Sequence, residues 1–120
     1  MTIQNYSDLF AWQRAMDFIE SVYRVTRTWP KDEAYGLTSQ VHRAAVSVAA
    51  NIAEGQGRGS DKEFLRFLAI AHGSLREAET HLLIGLRLRY YDESVCTPAM
   101  EQAAEVGRLI QGLARKIRQP

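Results

Sequence analysis

Few residues in this chain could do chemistry together, and their spacing limits which kinds are open. A helical di-metal centre takes glutamates together with a Glu-x-x-His pair. Here Glu77 is followed three residues on by Thr80, and Glu79 by Leu82. Glu77 and His81 are four apart and could share one ligand sphere, but two ligands are too few without partners from other helices. His42 and His72 have no carboxylate at the fourth position onward. The one cysteine, Cys96, rules out an internal disulfide and makes no metal site by itself. Its thiol would need a base or a helix amino end for activation, and Ser39, Ser47 and Ser74 lie in no elbow or lysine motif. These residues predict no enzyme, no metal and no cofactor.

The glycine-rich run Gly55-Gln56-Gly57-Arg58-Gly59-Ser60 has the look of a nucleotide loop but the wrong setting. A dinucleotide fingerprint follows a strand, whereas this run follows a helical pattern. A phosphate loop ends in Lys-Ser or Lys-Thr, and here Ser60 is followed by Asp61. Turn and helix cap are the expected roles.

A polar stripe is more informative. Arg43, Ser47, Asn51 and Glu54 recur on one face of a helix otherwise built from small and apolar residues. The next helix offers Ser74, Arg76, Glu77 and His81 as partners. A desolvated carboxylate must be paired or neutral. Glu54 is therefore expected to pair with a base, either Arg43 of an adjacent chain or the nearby Arg58. Arg43, Asn51, Glu54, Ser74 and Glu77 are expected to form a structural or interface network that orients rather than reacts.

Bases gather as Arg58, Lys62 and Arg66, as Arg87 and Arg89, and as Arg108, Arg115, Lys116 and Arg118. Net charge is only +1, with 15 Lys and Arg against 14 Asp and Glu, so there is no bulk electrostatic case for nucleic acid or an anionic membrane. A ring would repeat each patch once per subunit. On that reading Arg58, Lys62, Arg66, Arg115, Lys116 and Arg118 are the candidate nucleic-acid contacts, although no aromatic-basic motif for single strands accompanies them.

The elements that must position these residues are helices. Leu9, Trp12, Met16, Ile19 and Tyr23 recur at helical steps, and Pro30 ends that pattern, giving a first helix over about 8–29 with Asp8 as cap. A second is expected over about 38–54, where Val41, Ala45, Val48 and Ile52 form a stripe that further alanines extend around the cylinder. Gly55, Gly57 and Gly59 would then form its exit. Ser60 and Glu63 match a capping box for a third helix over about 60–90. Its seam Phe64, Leu68, Ala71, Leu75, Ala78, Leu82 and Gly85 alternates steps of four and three. Thr97-Pro98 reads as cap and first position of a fourth helix over about 97–118. Short joints make an antiparallel up-and-down four-helix bundle the expected fold, all-α and a single domain.

Helix two is apolar or small on nearly every face, which a monomer's surface helix would not be, so it is expected to lie between neighbours in an assembly. One cysteine fits the reduced cytoplasm. The first ten residues lack the basic-then-apolar pattern of a signal peptide. The longest nearly apolar run, Ala44 to Ala50, is far below the roughly 20 residues that span a bilayer, so no membrane is expected as partner.

The segments LFAWQRAMDFIESVYRVT, YGLTSQVHRAAVSVAANIAEGQGR and EFLRFLAIAHGSLREAET, in that order, resemble the four-helix bundle family of intervening sequences in bacterial 23S ribosomal RNA genes, also labelled the S23 ribosomal protein family. That resemblance implies a homopentameric barrel of bundles in the bacterial cytoplasm and no assigned activity. It also implies a relation to the accessory protein of diversity-generating retroelements, which binds a reverse transcriptase and nucleic acid. Arg43, Asn51, Glu54, Gly55, Gly73, Ser74 and Glu77 match characteristic positions of the family, which look structural or interfacial. Two departures stand out. The family often has proline where this chain has Val48-Ala49-Ala50, so helix two should be straighter here, and the near-neutral charge differs from the basic accessory branch. The function expected is a non-enzymatic oligomeric scaffold or interaction protein with an unidentified protein partner. The alternative is a nucleic-acid-binding accessory protein that partners a reverse transcriptase or other RNA/DNA-processing protein.

Overall fold

Four amphipathic stripes can hide from water only by facing one another, and that is how the chain folds. The structure, a computed structural model, describes residues 5–119. The reading of the first ten residues therefore lies partly outside the described residues. Helices α1 (Phe10–Val25), α2 (Leu37–Gly57), α3 (Asp61–Arg87) and α4 (Glu93–Arg118) run in sequence, with no strand among the described residues. Each packs on the next, and α4 closes against α1. This is an all-α fold consistent with an up-and-down four-helix bundle, 47 × 25 × 19 Å overall.

The core follows the predicted seams. Phe64, Leu68, Ala71, Leu75, Ala78, Leu82 and Gly85 of α3 are all buried, facing Val41, Ala45, Val48 and Ile52 of α2. Phe18 and Val22 of α1 and Val106 and Ile110 of α4 complete the centre. The broadest contact joins α2 to α3, because small residues let the two backbones approach. Gly55 shows how closely: a Cβ there would stand 2.6 Å from the Cβ of Phe67.

Helix boundaries depart from the sequence expectations at each end, for identifiable reasons. The first helix begins at Phe10, after a 3-10 turn over Tyr6–Asp8 that Asn5 caps by accepting from the Ser7 amide at 2.9 Å; Asp8 is not the cap. It ends at Val25 and continues as a 3-10 turn over Thr26–Thr28. Helix α2 is unbroken through 48–50 and runs on to Gly57, so Gly55 serves close packing rather than a helix exit. Only Gly59, at φ 79°, takes the left-handed conformation in that turn. Ser60 does cap α3, its Oγ accepting from the Glu63 amide at 3.2 Å. Helix α3 stops at Arg87 rather than Tyr90 because Arg89 turns to φ 63°. The Tyr90 amide then donates to the Gly85 carbonyl at 2.9 Å and the Arg89 amide to that of Leu86 at 3.0 Å, a Schellman closure.

Helix α4 starts at Glu93, one turn before the predicted cap, and places Pro98 inside the helix. Proline's fixed φ suits a helix, and its missing amide removes only the bond to the Ser94 carbonyl, whose residue is exposed to water. The joints at this end of the bundle are tied together. Trp29 lies over Gly85, where a Cβ would collide with its ring, and edge-on to Tyr91 with centroids 5.3 Å apart. Tyr91 donates to the Leu82 carbonyl at 2.7 Å and touches Cys96 Sγ at 3.2 Å.

Candidate functional site

The outward side of the α2–α3 pair is where the polar stripe of α2 meets the polar positions of α3. Ser47 Oγ and Ser74 Oγ lie 2.9 Å apart, and either hydroxyl can donate. The Asn51 side-chain amide donates to the Ser47 carbonyl at 2.8 Å and to Ser47 Oγ at 2.9 Å. One hydroxyl, that of Ser47, thus clamps the helix pair. Of the expected network, Asn51 and Ser74 come together through it.

Glu54 takes the second of its two expected partners. Arg58 Nη2, at the C-cap of α2, stands 2.7 Å from Glu54 Oε2 four residues back, with both side chains about half exposed. Arg66 makes a two-point contact to Glu63 at 3.0 and 3.2 Å. Both guanidiniums also lie over the Phe67 ring, 4.9 and 4.5 Å from its centroid. The hydrogen bond from Arg66 holds the Glu63 carboxyl below the usual range. Two of the three bases predicted at this end are therefore engaged with carboxylates of their own chain, leaving Lys62 exposed beside them. Arg115, Lys116 and Arg118 lie in the last turn of α4, where the helix dipole favours cations, and none has an ion pair among the described residues.

The serine clamp also lines a groove of about 1050 Å³. Arg43 and Val46 reach it from α2, Ser74 and Glu77 from α3, Tyr23 from α1 and Tyr35 from the joint before α2. Arg43 is exposed and makes no hydrogen bond or ion pair among the described residues. Glu77 is exposed too, with only His81 Nε2 at 4.0 Å. His42 stacks on Tyr23 with ring centroids 3.8 Å apart, and burial lowers its pKa. Thr26 Oγ1 donates to the Val22 carbonyl at 2.8 Å and lies within hydrogen-bond distance of His42 Nε2, at 2.9 Å.

The joint before α2 is pre-shaped. The Glu33 carboxylate accepts from the Leu37 amide at 3.1 Å and from the Tyr90 hydroxyl at 2.6 Å, joining both loops at this end. That leaves Tyr35, two residues on, 100% exposed in a held segment. Sequence reasoning passed over Tyr35, weighed His42 only as a metal ligand and placed Tyr23 only on the stripe of the first helix. A tyrosine between Pro30 and Gly36 in a connector was the available signal for Tyr35; the other two lie on faces that only the α1–α2 packing brings together.

Apolar surface continues down the same face. Val46 is 43% and Ile70 40% exposed, with Ala50 and Gly73 exposed between them. Among the described residues no three of His, Cys, Asp and Glu gather to hold a metal ion, no serine or cysteine is hydrogen-bonded to a histidine, and no helix is long and apolar enough to cross a membrane.

Residues 7–112 match the family described as "23S rRNA-intervening sequence protein". No curated protein matches the chain. The fold is similar to that of a protein with unknown function from the S23 ribosomal protein family of Bacteroides thetaiotaomicron, at a TM-score of 0.79 and 19% identity, over 87% of this chain and 97% of that one.

Proposed function

The chain belongs to the 23S rRNA-intervening sequence protein family, and on that footing we propose that it works as a non-enzymatic, homo-oligomeric scaffold of the cytoplasm, assembled through the outer α2–α3 face. The observation that carries this reading is the run Val46, Ala50, Ile70 and Gly73. It is small, apolar and open to water on a helix pair whose other sides are packed. Contiguous apolar surface rimmed by polar groups marks an interaction site, and small residues let a neighbouring helix approach. The serine clamp beneath it holds the two helices at a fixed spacing. A homopentameric ring, the order implied by the family resemblance, is the assembly we favour.

Ala50→Arg is the direct test. The site is exposed in the single chain, so the fold should be kept, with an unchanged helical circular dichroism spectrum. Mass in solution by light scattering should fall from that of an oligomer to that of one chain. An oligomer of unchanged mass would overturn the use of this face.

A second reading rests on the other end of the molecule, where Arg115, Lys116 and Arg118 have no acidic partner among the described residues. Repeated around a ring, these bases would suit an accessory protein of a reverse transcriptase or other RNA/DNA-processing protein. Binding to a short RNA that weakens steeply with salt, and is lost when the three are changed to glutamine, would support it, because phosphate contacts release counterions. No binding at low salt would end it.

A further inference from the structure

We propose that Arg43 of one copy of this chain pairs with Glu77 of a second copy, and that this ion pair sets how the copies meet. The inference rests on the assembly reading above and adds the contact that orients it. Most charged side chains on this part of the surface are engaged locally. Arg58 holds Glu54 at 2.7 Å, Arg66 holds Glu63, and Arg76 reaches past its neighbour Glu77 to hold Glu79 at 2.7 Å. Arg43 and Glu77, the guanidinium and the carboxylate that line the groove, are not. The first has no partner among the described residues, and the second has only an imidazole at 4.0 Å that is uncharged unless protonated.

These two charges line one groove, Arg43 from α2 and Glu77 from α3, and exposed Val46 lines it too. A surface carrying one unspent cation and one unspent anion is complementary to itself. An acidic partner covering the groove would neutralise Arg43 and strand Glu77, and a basic one would do the reverse. Stranding a charge under an interface is costly. A second copy that sets its α3 wall against the first copy's α2 wall meets Arg43 with Glu77 and leaves its own Arg43 for the Glu77 of the next copy, a head-to-tail contact that can close into a ring. Apolar contact at Val46 would exclude water from the pair and strengthen it.

The test is charge reversal in the full chain, followed by sedimentation equilibrium. Arg43→Glu and Glu77→Arg alone should each raise the dissociation constant of the assembly about tenfold or more, since like charges then face each other. The double reversal should return it to within about threefold of the wild-type value, on the same scale of coupling. Both sites are exposed, and unchanged circular dichroism keeps misfolding out of the comparison. Single reversals that leave assembly intact while Ala50→Arg abolishes it would overturn the pair and spare the assembly. A double variant as weak as the singles would overturn the pair as well. A wild-type chain that stays monomeric would overturn both readings.

Discussion

Single side chains in this protein act mostly by joining elements, and Glu33 is the clearest case. Its carboxylate accepts from the Tyr90 hydroxyl and the Leu37 amide. The tyrosine hydrogen bond and then the backbone one hold the Glu33 carboxyl below its ordinary 4.5, and the same bond raises the Tyr90 phenol. The ionised form is the one that accepts both bonds, so as pH falls the unfolded chain takes up the proton first. The contribution of Glu33 to stability is therefore complete above 4.5 and is lost as pH falls through the lower folded value. Urea titrations of the wild type and Glu33→Gln should differ by a constant amount above that pH and converge below it. A gap that persists undiminished into acid would show that the carboxylate charge is not what holds the two loops.

Elements are set by periodicity, and their ends by local closure. Leu68, Leu75 and Leu82 lie at heptad spacing, and all are buried, so the seam of α3 is legible from residue spacing alone. What periodicity does not encode is where a helix stops when the next residues are also compatible with it. Leu88, Arg89 and Tyr90 continue the α3 pattern, yet the chain closes with Arg89 in the left-handed region, where a Cβ crowds the backbone and glycine is preferred. Arg89→Gly should raise stability by about 1 kcal/mol, read as a higher urea midpoint with an unchanged slope. A lower midpoint would mean that the arginine side chain makes up for the strain. The start of α4 is hidden for the converse reason. Thr97-Pro98 is a strong start signal, but the preceding turn tolerates the lost amide at its solvated edge, and the helix extends back to Glu93.

At the scale of the molecule, sequence and structure divide the site between them. The helix pairing and the polar stripe are legible in the sequence, because a helix repeats its face every three or four residues. Which partner each polar residue takes is not. Arg58 and Arg66 look like a basic patch in sequence, whereas Glu54, Glu63 and the Phe67 ring engage them in the fold. Arg43 and Glu77 lie 34 positions apart and share a groove only because α2 and α3 pack side by side. The buried face of α2 is accounted for by its packing on α3 and α1, whereas exposed Val46 and Ala50, set within the outward polar stripe, are covered by nothing among the described residues. That open side is the central claim, and the mass of the wild-type protein in solution tests it most directly. Native mass spectrometry at micromolar concentration should give a multiple of the 13.6 kDa chain, with five copies the multiple expected for a ring. A single species at the mass of one chain, unchanged as concentration rises, would contradict the account.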